Sequence, residues 1–120
     1  MTVRLYQVVV DAHDPAGLAR WWAAVLDYEV LYETASEVII GLAPDRYPGI
    51  VFVPVADAKT TKNRIHLDLD PDDLEAEVAR LLALGAQPVD VGQGDSPWTV
   101  LADIEGNEFC ILTPHKSLVD

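Results

Sequence analysis

The sequence predicts an α+β domain of two βαβββ modules, with curved mixed sheets that enclose a cleft and helices on the outer faces. Three observations support this prediction. Short runs that are rich in β-branched residues, or that alternate strictly between apolar and polar residues, predict strands. Two longer segments carry apolar residues at helical spacing. The order of one strand, one helix and three strands occurs twice, and an internal repeat of this kind usually sets the architecture.

The first module is predicted over residues 3–55 and begins with the strand RLYQVVV at residues 4–10. A helix is predicted over residues 14–26, because Asp14 is a good N-cap and Pro15 suits the first helical position. Three further strands complete the module, namely YEVLYE (28–33), EVIIGLA (37–43) and GIVFVPV (49–55).

The second module is predicted over residues 63–114, after a small and polar linker at residues 56–62. It begins with the strand RIHLDLD at residues 64–70. Residues 71–86 predict a helix, because acidic residues at its start and Gly85 near its end suit the helix dipole and the C-cap. Three strands follow, namely PVDVGQ (88–93), WTVLAD (98–103) and EFCILT (108–113).

The length and the charge of the chain limit the classes of function. A chain of 120 residues indicates one domain with a substantial core. Twenty acidic against eight basic side chains give a formal charge of −12. The sequence has no basic stripe to neutralise phosphates, so we expect no nucleic-acid partner and no binding to anionic membranes.

The cysteine content and the hydropathy pattern indicate a cytoplasmic protein. Cys110 is the only cysteine, so no intrachain disulfide can form and a reducing compartment is favoured. The first residues lack the pattern of a signal peptide, and no run approaches the ~20 apolar residues of a membrane span.

The stretch KNRIHLDLD, residues 62–70, alternates apolar and polar side chains, as a strand with one buried face does. We expect the helix of the second module to cover the apolar face, which consists of Ile65, Leu67 and Leu69. The other face consists of Arg64, His66 and Asp68. It is either a wet outer surface or the polar wall of a cleft, and side-by-side joining of the two sheets favours the cleft.

The two halves of the chain can be aligned on each other. RLYQVVV matches NRIHLDL, which sets Gln7 on His66. YPGIVFV matches IEGNEFC, which sets Val53 on Cys110 at nearly the same separation along the chain. The nearly constant offset indicates an internal repeat. If the paired strands curl around a shared hollow, these four positions converge on it.

The paired modules and the stretches DPAGLARWWAAVLDYEV, KNRIHLDL, LGA and DIEGNEF resemble the vicinal oxygen chelate superfamily. The resemblance is strongest to its glyoxalase-like members, the glyoxalase/bleomycin resistance/dioxygenase proteins, and it runs from Arg4 to Thr113. These motifs are specific for the fold and weak for the reaction. The superfamily includes metal-dependent lyases, dioxygenases, epimerases and thiol transferases, as well as metal-free proteins that sequester antibiotics.

The resemblance implies metal ligands on the first and last strands of each module, at Gln7, Val53, His66 and Cys110. Gln7 is a weak oxygen ligand and His66 a good ligand. Val53 cannot bind a metal, and Cys110 stands where a carboxylate is usual, although its thiolate could bind zinc. Gln7, His66 and Cys110 could therefore supply three ligands to a divalent metal, and the identity of any cofactor stays open.

Several candidate residues have a structural alternative. His66 is a catalytic candidate because imidazole transfers protons near neutral pH, but it could simply line the cleft. Asp68 could orient this imidazole and Arg64 could hold an anionic or carbonyl group, or the two could pair with each other. Cys110 is a metal ligand or a small buried hydrophobe.

Aromatic and turn residues provide further candidates. Trp98 follows the Gly-rich stretch GQGDSP, which could close over a ligand, or it packs on that loop. Glu108 alternates with Cys110 on the last strand, so it could also face the cleft. A tight turn is predicted at residues 105–107, where Gly or Asn supplies a positive φ.

These observations predict a glyoxalase-like protein that binds a small organic molecule in the cleft between the modules. An enzyme of this kind would be a lyase, an isomerase or a dioxygenase, with His66 as the catalytic residue. The alternative is a non-catalytic antibiotic- or toxin-binding protein with a degraded metal site. The predicted ligand-binding residues are Gln7, Val53, Arg64, Asp68, Trp98, Glu108 and Cys110. The family and the exposed sheet edges also imply a homodimer, in which the modules pair within or between chains.

Overall fold

The computed structural model describes residues 3–90 and 99–119. It confirms the predicted α+β class, because it contains two four-stranded mixed sheets, each formed with one helix in the order βαβββ. The chain divides into a first unit, Met1–Ala58, and a second unit, Lys59–Asp120. The boundary between them falls inside the stretch 56–62 that the sequence predicts as a linker, and the assignment of a single domain stays a prediction.

The first unit has a sheet with the strand order β1-β4-β3-β2. Strand β1 runs parallel to β4, while β3 is antiparallel to β4 and to β2. The bounds of its elements are β1 Gln7–Ala12, α1 Pro15–Leu26, β2 Glu29–Glu33, β3 Val38–Gly41 and β4 Gly49–Pro54.

Helix α1 begins and ends at residues whose side chain or backbone suits a helix terminus. The Asp14 carboxylate accepts a hydrogen bond from the Gly17 N–H at 3.2 Å, as expected for an N-cap. Asp27 follows the last helical residue in the left-handed conformation, with φ 56°. Trp21 and Trp22 are both buried and form an edge-to-face pair 5.2 Å apart, so these aromatic side chains belong to the core.

Strand β1 lies later in the chain than the predicted residues 4–10. Its ladder begins where Gln7 pairs with Gly49 and ends where Ala12 pairs with Pro54. The ends of β1 are therefore set by the length over which it pairs with β4. The β-branched residues of β1 alone do not indicate that length.

The second unit repeats the arrangement, with the strand order β5-β8-β7-β6. Strand β5 is parallel to β8, and β7 is antiparallel to β8 and to β6. The bounds of its elements are β5 Asp68–Leu69, α2 Leu74–Ala83, β6 Gln87–Pro88, β7 Thr99–Ala102 and β8 Glu108–Ile111.

The predicted strand at residues 64–70 is shortened to Asp68–Leu69, and the predicted burial of Ile65 is wrong. Ile65 is 82% exposed, whereas Leu67 and Leu69 are half-buried. The backbone bends at residues 64–65, ahead of the first bond of the ladder to β8, in which the Cys110 N–H donates to the Leu67 carbonyl at 2.9 Å. Ile65 therefore lies ahead of the part of the chain that pairs with β8.

Helix α2 is shorter at both ends than the predicted residues 71–86. It begins at Leu74, because the Asp73 side chain caps it by accepting from the Ala76 N–H at 3.2 Å. It ends at Ala83, and Gly85 then adopts φ 109°, a conformation that favours glycine.

Two further strands of the second unit differ from their predicted bounds. Of the strand predicted over residues 88–93, the described part of the chain shows β6 at Gln87–Pro88, and β8 ends at Ile111 instead of residue 113. Residues 91–98, with the candidate Trp98, lie outside the described part of the chain. Of the helices in the described residues, none has the length and apolar character needed to cross a bilayer.

Candidate functional site

Three side chains with different chemistry meet at the junction of β5 and β8. Strand pairing sets Asp68 opposite Cys110. His66 lies just before Asp68 in the chain, and its Nε2 lies 3.1 Å from Asp68 Oδ1. One potential ligand atom from each of the three residues lies within 4.8 Å of the other two. We call this the His66–Asp68–Cys110 cluster.

The cluster has a buried side and an open side. Cys110 is 7% exposed, whereas the side chains of His66 and Asp68 are 44% and 50% exposed. A molecule or an ion from solvent can therefore reach the imidazole and the carboxylate, while the sheet holds the thiol beneath them.

Asp68 is the central member of the cluster. Burial raises the pKa of the Cys110 thiol, and the charge of Asp68 and a hydrogen bond to its carboxylate raise this pKa further, against a smaller opposing effect of Lys62. Without a bound metal, Cys110 is therefore a protonated thiol that donates to Asp68, and it is a poor nucleophile at neutral pH. The contact with His66 is the arrangement in which Asp68 would orient the imidazole.

In metal-free protein, we expect Asp68→Asn to accelerate alkylation of Cys110 by iodoacetamide several-fold at pH 8. The substitution removes the negative charge that raises the pKa of the thiol, so the reactive thiolate becomes more populated. Mass spectrometry of timed samples measures the rate, and urea-unfolded samples should react equally in both variants. An unchanged or slower folded-state rate would contradict this account of the thiol.

Glu108 holds the segment before β5 against β8. Its carboxylate lies 2.9 Å from Lys59 Nζ and accepts from the Asn63 N–H at 3.4 Å, while its carbonyl accepts from the Asn63 side-chain amide at 3.1 Å. Burial raises the pKa of Glu108, but the hydrogen bonds and the charge of Lys59 outweigh this effect, so the pKa lies below its ordinary value. The predicted ligand-binding residue Glu108 is thus engaged by its own chain.

We expect Glu108→Gln to lower the free energy of unfolding by about 1–2 kcal/mol at pH 7, because a charged hydrogen bond is lost. A carboxyl whose pKa is lowered by folding stabilises above its unfolded pKa, and this stabilisation disappears as the pH falls through its folded pKa. The difference between the two proteins should therefore shrink below about pH 4. Urea unfolding at a series of pH values measures it.

The exposed Glu29 of β2 supplies the control for this experiment. Glu29→Gln removes the same charge without a comparable half-buried contact, so it should change the free energy of unfolding by less than about 0.5 kcal/mol. A difference for Glu108→Gln that grows on acidification would refute the assignment.

The turn before β8 is held by a buried carboxylate. Asp103 is 2% exposed, and its Oδ1 accepts from the N–H groups of Glu105 and Asn107 at 2.9 and 3.0 Å. Gly106 has φ 89°, as the predicted turn requires. This turn sets where β8 begins and so where Cys110 lies.

Strand pairing gives a different alignment of the two halves from the one that the sequence suggests. Val53 pairs with Asp11 in the first unit, and Cys110 pairs with Asp68 in the second unit. Asp68 follows Asp11 by the same number of residues as Cys110 follows Val53, so the two pairs are equivalent. His66 then corresponds to Val9 instead of Gln7.

The remaining predicted site residues are distributed over both units. Gln7 and Val53 are half-buried residues of β1 and β4 in the first unit, and Arg64 is exposed at the bend before β5. The convergence of Gln7 and Val53 with the cluster stays a prediction. The sequence reasoning did not find Lys59, Asn63 or Asp103. Of these, Asp103 had a usable signal, since an Asp before a Gly–Asn turn often bonds to the backbone of that turn.

The donor types of the cluster fit a divalent cation of intermediate softness. An imidazole, a carboxylate and a thiol that ionises on binding match the ligands of zinc, whereas hard cations require several oxygen ligands.

Comparison with known proteins decides the family of the chain. The family model described as a glyoxalase-like domain matches residues 7–112. The chain belongs to this glyoxalase-like family.

Solved structures share the fold of this glyoxalase-like protein. A glyoxalase/bleomycin resistance protein/dioxygenase family enzyme from Burkholderia phytofirmans is 17% identical, with a TM-score of 0.73 over 94% of this chain and 100% of that chain. The fosfomycin resistance protein FosX from Mesorhizobium loti is 16% identical, with a TM-score of 0.69 over 98% and 95%.

A trypanothione-dependent glyoxalase I from Leishmania major is 14% identical, with a TM-score of 0.67 over 93% of this chain and 87% of that chain. At these identities the likeness concerns the fold alone. No curated protein sequence matches the chain.

Proposed function

We propose that this glyoxalase-like protein binds a small organic molecule at the open side of the His66–Asp68–Cys110 cluster. The observation that carries the proposal is the half-exposed imidazole in contact with a carboxylate, above a buried thiol. Small-molecule sites usually combine a few such polar groups with apolar walls. Arg64, exposed nearby in sequence, would assist by binding an anionic or carbonyl group of the ligand.

In a catalytic version of this function, His66 is the general base of a lyase- or isomerase-type reaction. The contact with Asp68 orients the ring, so that one ring nitrogen is held by the carboxylate while the other is left for the substrate proton. Cys110 contributes no nucleophile in this version, because its thiol is buried and protonated.

A thermal-shift screen of carbonyl metabolites, organic acids and antibiotics tests the proposal. A ligand present at 100 times its dissociation constant adds about 2.7 kcal/mol of stability. We expect at least one compound to raise the melting temperature of the wild type and to lose this effect in His66→Ala. His115→Ala is the matched control, because His115 also lies beside an aspartate, 3.8 Å from Asp70, but outside the cluster. A shift that survives His66→Ala would refute the proposed site.

The second candidate is non-catalytic binding of an antibiotic or toxin. Val53 favours it, because an alkyl side chain stands at one of the positions where the resemblance implies a metal ligand. Mass spectrometry after prolonged incubation separates the two candidates, since a sequestering protein returns its ligand unchanged. We also propose that the protein forms a homodimer, and light scattering on the purified protein tests its oligomeric state.

A further inference from the structure

We propose that the second unit alone holds a zinc-type divalent cation through His66, Asp68 and Cys110. This inference goes beyond the proposed function, which requires no metal. It also differs from the ligand set implied by the resemblance. That set draws on both modules and does not include Asp68.

The first argument is distance. Zinc binds nitrogen and oxygen at about 2.0–2.2 Å and sulfur at about 2.3 Å, so tetrahedral ligand atoms lie roughly 3.3–3.7 Å apart. In the cluster, His66 Nε2 and Asp68 Oδ1 are 3.1 Å apart, and all three potential ligand atoms lie within 4.8 Å of one another. Modest side-chain rotations therefore bring the three atoms to coordination distance.

The second argument is that the backbone fixes the ligand positions. The Asp68–Cys110 pairing is part of the parallel ladder of β5 and β8, which the Cys110 N–H strengthens by donating to the Leu67 carbonyl at 2.9 Å. This ladder holds two of the three ligands, Asp68 and Cys110, and sites built on paired strands hold their ligands more accurately than sites on loops. His66 lies two residues before Asp68, and its ring reaches the Asp68 carboxylate at 3.1 Å.

The third argument is selectivity and access. One thiolate, one imidazole and one carboxylate favour Zn²⁺ or Co²⁺ over Mg²⁺ or Ca²⁺, which bind mainly oxygen ligands. Three protein ligands leave a fourth position open, as in catalytic zinc sites. Because the His66 and Asp68 side chains are about half exposed, water or an organic molecule can reach that position.

Cobalt titration of untagged, chelator-treated full-length protein tests the inference. Binding through Cys110 produces a thiolate-to-cobalt charge-transfer band in the near ultraviolet, which ligands without sulfur cannot give. We expect this band to saturate at one equivalent of Co²⁺ and to disappear when Zn²⁺ is added. Isothermal titration with Zn²⁺ should give the same stoichiometry.

Variants assign the ligands. Cys110→Ser should remove the charge-transfer band, and His66→Ala and Asp68→Asn should each weaken Zn²⁺ binding by more than the roughly 10–100-fold that loss of an outer-shell partner costs. His115→Ala, which alters the other His–Asp pair of this unit, should bind as the wild type does. Near-ultraviolet circular dichroism of the metal-free variants verifies their fold.

The inference is overturned if wild-type protein binds Co²⁺ without a thiolate band or binds none. It is also overturned if His115→Ala weakens binding as much as His66→Ala. The wild-type spectrum decides the question even where a variant fails to fold. Failure here is separate from failure of the proposed function, since a compound can still bind metal-free protein at His66, and a metal can bind when every compound fails.

Discussion

Replacing Asp103 by alanine is expected to lower the free energy of unfolding of the second unit by about 3 kcal/mol. The carboxylate is almost fully buried and accepts from two backbone N–H groups and from the Asn107 side-chain amide at 2.9 Å. Alanine leaves these donors without their charged acceptor, and hydrogen bonds to charged groups contribute about 1.5–3 kcal/mol each. Partial access of water to the turn offsets some of this loss.

Urea unfolding and hydrogen exchange of the β8 amides measure the effect of Asp103→Ala. Asn107→Ala is the matched control, because it removes the side-chain donor and leaves both backbone donors bonded to Asp103. It should cost about 1 kcal/mol. If Asp103→Ala costs no more than this control, the carboxylate does not hold the turn.

Replacing Phe109 by alanine is expected to cost about 3–5 kcal/mol, the usual effect of truncating a buried aromatic side chain. Phe109 is 1% exposed on β8, between Glu108 and Cys110. Because neighbouring residues of a strand point to opposite faces, Phe109 packs on the other side of the sheet from the cluster. Its truncation leaves a cavity under the strand that carries Cys110.

The same unfolding experiment measures Phe109→Ala, with Ile104→Ala as the control. Ile104 is 48% exposed, so its truncation should cost less than about 1 kcal/mol. Phe109→Leu, which keeps most of the buried volume, should lie between the two. A cost of Phe109→Ala that is similar to that of the exposed control would show that β8 is not anchored from this face.

Both predictions concern how β8 presents the cluster. The Asp103 turn fixes where the strand begins, and Phe109 anchors the face of β8 opposite the cluster, so together they determine the position of Cys110. If these anchors hold the site, both variants should also increase the exchange of the Cys110 amide, which donates to the Leu67 carbonyl.

Much of the fold could be predicted because it depends on local chemistry. Asp14 as the cap of α1 and Gly106 at the turn are residues whose conformational preference acts over a few positions, and both are confirmed. The cysteine at position 110 was predicted as a candidate ligand with a buried structural alternative, and its burial is confirmed. Its role as a ligand stays a prediction.

The error at residues 64–70 has a physical cause that lies outside the local sequence. The alternating pattern at residues 64–70 predicted a full strand with Ile65 buried, but β5 covers only Asp68–Leu69 and Ile65 is exposed. The pattern does not indicate how far the strand pairs with its partner. The chain bends before β5, and the Glu108 carboxylate binds the segment ahead of the bend through an ion pair with Lys59 and a hydrogen bond from the Asn63 N–H. These contacts join residues that are far apart in the chain, so no local preference indicates them.

The sequence by itself determined the two-module α+β fold, the N-cap of α1 and the residue types available for a site, because periodicity and capping act within a few residues. Only the tertiary structure decided that Asp68 lies between His66 and Cys110. Strand register sets that arrangement, and register depends on the pairing of β5 with β8, which brings together side chains from distant parts of the second unit's sequence.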